Sequence, residues 1–189
     1  MERNIIKLAD IVREIGDSSA QPYSYDLYKQ GGDYFAEWES ETGDRMGVAL
    51  QLIEDRWWSR EEELLVAMWM ISFGIMKGLD PLSADTEIIR NDGDLYRTMA
   101  TLIKALKEHY NKTKNSDKAT VYYFSPNSKE DKTGREDNGK GRERLYKAYI
   151  SRDPDIRKNF FITDHPSGRG LLVVEKEYKD HPAVKNLLY

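Results

Sequence analysis

The 189-residue sequence contains no cysteine. That absence excludes a disulfide scaffold, thiol catalysis and any thiolate zinc site. Histidine is scarce: three are present, at positions 109, 165 and 181, and no two have the spacing of metal ligands. There is no Gly-x-Ser-x-Gly elbow, no phosphate-loop fingerprint, no dinucleotide fingerprint and no internal repeat. The longest apolar run, Leu64–Met76, has 13 residues, whereas a membrane-spanning helix needs about 20. Met1-Glu2-Arg3-Asn4-Ile5-Ile6 does not lead into a secretory apolar region, so the expected location is the cytoplasm, without a membrane partner.

What is present is charge, unevenly distributed. The chain carries 33 acidic and 29 basic side chains, a net −4. Residues 1–111 hold 21 acidic and 12 basic side chains, a net −9. Residues 112–152 hold 11 basic and 6 acidic, a net +5, and residues 153–189 balance at 6 of each. Such asymmetry marks either a basic contact surface or solvated loops.

The first 111 residues read as helical. Ile5, Ile6, Leu8, Ile11, Val12 and Ile15 recur near helical spacing, as do Tyr34, Phe35 and Trp38, and then Met46, Val48, Leu50, Ile53, Trp57 and Trp58. Ser59-Arg60-Glu61-Glu62 has the form of a capping box. Leu64–Met76, interrupted only by Ser72 and Gly74, then reads as a central helix buried all round. Its methionines and aromatics could alternatively line an adaptable groove. Leu95, Met99, Leu102, Ile103, Leu106 and Tyr110 form one stripe of an amphipathic helix over about 93–111. Asp80, Asp85, Glu87, Asp92 and Asp94 lie in ordinary turn and cap contexts and lack calcium-loop spacing, so no metal is expected.

Past Asn111 the pattern changes to strands. Thr120–Phe124, Leu145–Ile150, Asn159–Thr163 and Leu171–Tyr178 are apolar, β-branched or aromatic runs bounded by turn residues. Residues 127–143 contain no apolar side chain and read as a mobile loop. The tail from His181 to Tyr189 reads as a short helix. The expected fold is therefore α+β: a helical part, 1–111, packed as one cooperative unit with a β-rich part, 112–189, whose antiparallel sheet has about four strands.

Three groups of residues could carry chemistry. Asp164-His165-Pro166-Ser167-Gly168-Arg169-Gly170 combines flexible backbone, a planar cationic fork and a group that titrates near neutrality. These features suit a phosphate, and equally a hairpin turn with glycines at positive φ. Arg142, Arg144 and Lys147 lie beside Tyr146 and Tyr149, a mixture suited to backbone attraction and base stacking on nucleic acid, or to tyrosines packing a sheet on helices. Asp164 with Glu175, Glu177 and Lys179 has the residue types of a metal-dependent nuclease. The expected function is recognition of an anionic partner: nucleic acid, a nucleotide or an acidic protein surface. Arg169, Gly168, Gly170, Ser167, Arg142, Arg144, Lys147, Tyr146 and Tyr149 would make the contacts. The alternatives are an enzyme on a phosphorylated substrate using His165, Asp164, Glu175, Glu177 and Lys179, or a protein-binding module with an acidic helical face. No cofactor is identified by the residues.

Overall fold

A computed structural model of the chain describes residues 20–58, 64–76, 95–124, 129–130, 136–137, 140–168 and 170–188. Strands β1 (Asp26–Gln30), β2 (Asp33–Glu39), β3 (Arg45–Trp58) and β4 (Leu64–Ile75) form an antiparallel meander. Helix α1 (Leu95–Thr113) crosses over to β5 (Lys118–Phe124), which lies parallel to β4. A two-stranded ribbon, β6 (Lys129–Glu130) with β7 (Glu136–Asp137), precedes α2 (Lys140–Ile150) and α3 (Pro154–Asn159). The hairpin β8 (Phe160–Asp164) and β9 (Leu171–Glu175) joins the sheet through β9, antiparallel to β5. A 3₁₀ turn (Lys176–Tyr178) and α4 (Pro182–Leu188) follow. The main sheet thus has seven strands, in the order β1-β2-β3-β4-β5-β9-β8.

This architecture overturns the expected helical N-terminal part with a small antiparallel C-terminal sheet. Four of the seven strands lie in residues 26–75, and the sheet is mixed. The physical reason is clearest in β4. Ala67, Trp69, Ile71 and Phe73 point to one face of the sheet, Leu64, Val66 and Met68 to the other, and both faces are covered. A strand buried on both sides is apolar without alternation, and so is a helix buried all round; the pattern alone does not separate them. In β3, Met46, Val48 and Leu50 alternate onto one face while Gly47 and Ala49 occupy the other, a period of two that also satisfies a loose helical reading. The converse error falls on 145–150. Tyr146, Tyr149 and Ile150 sit at i, i+3 and i+4 on one side of α2, turned toward the core. Residues 176–178 form a 3₁₀ turn, not the end of a strand. The helices expected over 5–15 and near 83–90, the Ser59 capping box and the acidic cluster of 80–94 lie outside the described residues, as does much of 127–143.

Two apolar layers hold the sheet. On one face, α1, α2 and α3 cover Trp69, Ile71, Phe73, Tyr122, Phe124 and Val173. On the other, Ala183 and Val184 of α4 pack with Val66, Met68, Val121 and Val174. Asp153 starts α3 by accepting from the amides of Asp155 and Ile156, with Pro154 in the first turn. His181 Nδ1 accepts from the Ala183 amide at the start of α4. Among the described residues no helix is long and apolar enough to cross a membrane.

One polar group sits at the centre of the larger layer. His109 of α1 is fully buried, with its ring edge-on to Trp69 at 4.4 Å and to Tyr34 at 4.7 Å. Its Nδ1 shares a 2.9 Å hydrogen bond with the Tyr122 hydroxyl. Burial, assisted by the charges of Lys118 and Lys112, pushes its pKa down to about 3. Folded His109 therefore stays neutral below its ordinary value of about 6.5, where the unfolded chain takes up a proton. Stability is lost as the pH falls from about 6.5 toward 3, at up to about 1.4 kcal/mol per pH unit from this group. Denaturant midpoints measured from pH 7 to 4 test this: His109→Gln should remove about one proton's worth of the slope. An unchanged slope would show that His109 does not carry it.

Candidate functional site

The parallel pairing of β4 with β5 brings several elements to one rim. Its register runs from Leu65↔Lys118 to Ile71↔Phe124. Beyond Ile71, β4 continues to Ile75 against β3, and no described strand pairs with its other edge. Tyr146 of α2 lies over the end of the described pairing, with its ring 5.2 Å from Phe73 and 6.0 Å from Phe124. A helix that connects parallel strands runs back against them, so α1 begins at this same rim. Its first described turn carries no acidic side chain.

The β8–β9 turn is on this rim too, because Phe124 pairs with Leu171 and Leu171 with Asp164. Gly168 and Gly170 have φ of 70° and 100°, in the left-handed region that favours glycine. The turn is closed by His165 N donating to Gly170 O at 2.9 Å and Gly168 N to His165 O at 2.8 Å. His165 Nδ1 lies 2.7 Å from the Ser167 hydroxyl and accepts from the Ser167 amide at 3.1 Å. The His165 ring rests on Tyr123 at 4.9 Å. Lys147 of α2 pairs with Asp164 at 2.6 Å, tying the helix to the turn. Asp164, His165, Ser167, Gly168, Gly170, Lys147 and Tyr146 are thus brought to one end of the sheet. Arg144 is exposed on α2. Arg169 and the side chain of Arg142 lie outside the described residues. Tyr149 faces a separate groove against α1.

Glu175, Glu177 and Lys179 go to the opposite end. Asp164 pairs with Leu171 and Phe160 with Glu175, so Asp164 and Glu175 stand four strand residues apart, about 13 Å. The structure does not bring Asp164 together with Glu175, Glu177 and Lys179. Glu177 is exposed on the 3₁₀ turn, and Lys179 is exposed with Asp180 3.8 Å away. Glu175 is buried; it accepts from the Tyr110 hydroxyl and, at 3.0 Å, from the Thr120 amide. Burial first, then this hydrogen bond, raises the pKa of Tyr110. The Glu175 carboxylate continues the β5–β9 ladder one residue past its last backbone pair, Val121↔Val174, and bolts α1 to the sheet. Among the described residues no three His, Asp or Glu side chains are placed to hold a metal ion.

No protein-family model, curated protein or solved structure matches the chain.

If Glu175 is a structural bolt, Glu175→Ala should cost about 2–3 kcal/mol, the scale of charge-assisted hydrogen bonds, and Tyr110→Phe about 1 kcal/mol. Urea unfolding of both variants measures this. A Glu175→Ala loss below about 0.5 kcal/mol would contradict the bolt.

Proposed function

We propose that the chain is a binding protein for a phosphate-bearing nucleotide, held at the rim beside the carboxyl end of β5. The observation that carries this reading is the β8–β9 turn, where Gly168 and Gly170 at positive φ stand with His165 and the Lys147–Asp164 pair beside the carboxyl end of β5. In open sheets with crossover helices, ligands occupy the crevice beyond the carboxyl ends of parallel strands. Successive backbone amides in such a turn form an anion-binding concavity. Tyr123, on the face of the sheet away from α1, and the His165 ring against it supply aromatic surface beside the turn, and Lys147 supplies a cation. The anionic partner expected from the charge distribution thereby becomes a small one, with its phosphates toward the β8–β9 turn and its base toward Tyr123.

Titration of the isotope-labelled full chain with ADP and with pyrophosphate, followed by backbone amide shifts, tests the proposal. Shifts should concentrate at Tyr123–Phe124 and His165–Gly168 and weaken as salt is raised. Lys147→Glu should weaken ADP binding roughly tenfold, about 1.4 kcal/mol. No shifts at millimolar ADP, or shifts confined to β1, β2 or α4, would sink it.

A further inference from the structure

A second concavity lies in the helical layer, away from the rim. Residues 20–25 run as an irregular strap along α1. Arg97 Nε donates to Gln21 O at 3.1 Å and its guanidinium lies 4.0 Å from the centre of the Tyr23 ring. Tyr23 N donates to Thr101 Oγ1 at 2.8 Å, and Tyr25 Oη to Glu108 at 3.2 Å. Between this strap, α1 and the α2–α3 corner is a groove of about 590 Å³. Small-molecule sites typically enclose about 300–1,000 Å³.

The groove is apolar with a charged rim. Pro22, Ala100, Ile103 and Pro154 line it, together with Tyr96 and Tyr149, whose rings meet in a tilted pair 6.0 Å apart. Three cations and one acid border it: Lys104, Lys107, Arg152 and Asp153. Lys107 is satisfied by Asp153 at 3.1 Å and Asp155 at 3.0 Å. Asp153 is further occupied as the cap of α3. Lys104 and Arg152 are exposed, and neither has a carboxylate partner among the described residues; Lys104 lies 5.1 Å from the centre of the Tyr25 ring. The internal acid is neutralised, and two cations remain available beside a tyrosine pair.

We propose that this groove binds a small planar anion with an aromatic body, its ring against Tyr96 and Tyr149 and its anionic group met by Lys104 and Arg152. The charge complementarity selects the anion, since a neutral aromatic would leave both cations unanswered. The ring pair selects the planar body through stacking and edge contacts. The corner Arg152–Pro154 and the strap at Ala20–Pro22 close two sides, and the volume suits a small molecule. This site is independent of the rim.

Fluorescence titration of the full chain with anilinonaphthalene sulfonate, and with neutral phenylnaphthylamine as its uncharged counterpart, decides it. The sulfonate should bind at least about tenfold more tightly than the neutral compound. Arg152→Gln and Lys104→Gln, both exposed, should each weaken the sulfonate about fivefold without moving the thermal midpoint, while Lys29→Gln on β1 should leave it unchanged. Equal affinity for the neutral compound overturns the proposal, as does indifference to Arg152→Gln and Lys104→Gln, or no binding at all. Tighter sulfonate binding by Ile11→Asp would overturn it too, by making the chain's own first residues the occupant.

Discussion

The parallel pairing of β4 with β5 is the constraint on which the rest of the structure depends. Antiparallel neighbours can be joined by two residues, whereas a parallel neighbour requires a crossover long enough to return the chain to its starting edge. The 19 residues of α1 supply about 28 Å at 1.5 Å per residue, matching the strands they span. Once α1 lies on the sheet, its inward face must be apolar or satisfied. His109 is the exception that this burial forces into the neutral state, held between Tyr34, Trp69 and Tyr122 from three strands. Glu175 then anchors the far end of the same helix through Tyr110. The crossover is fixed at its middle by rings and at its C-terminal end by a carboxylate.

Much of the second half of the chain was legible from local pattern. Thr120–Phe124, Asn159–Thr163 and the start of the 171–178 run carry enough β-branched and aromatic residues to show as strands, and the α1 stripe repeats at helical spacing over about four turns. The first half was not legible, because its decisive fact is non-local. Leu64–Met76 is apolar throughout since layers cover it from both sides, and those layers come from α1, α2 and α4, all later in the chain. Nothing within the run distinguishes a two-sided strand from an all-round helix. Tyr146 and Tyr149 fail for the opposite reason. Their pattern fits alternation over six residues, and only the polar residues before them, which form the first half of α2, make the helix long enough to exist.

The site was legible in part and for a definable reason. The glycines of the 164–170 turn announce positive φ, a backbone property of single residues. The charge on the rim is a property of where segments go. The described cations of residues 112–152 do not form one patch. Lys112 donates to Leu27 O and Lys118 lies over Trp69, both near the C-terminal end of α1, opposite the rim. Lys147 is at the rim, and Arg152 is at the groove.

That dispersal bears on which anion the fold suits. Single-stranded nucleic acid is held by a continuous track of cations with aromatic rings along it, and its affinity grows with the number of phosphates neutralised. Among the described side chains the cations are separated by the thickness of the sheet and by the helical layer, so no such track forms. A compact ligand needs only one or two side-chain cations when backbone amides supply the remaining positive potential. The β8–β9 turn gathers such backbone groups beside Lys147 at one rim, which is why the ligand proposed above is a small phosphorylated molecule.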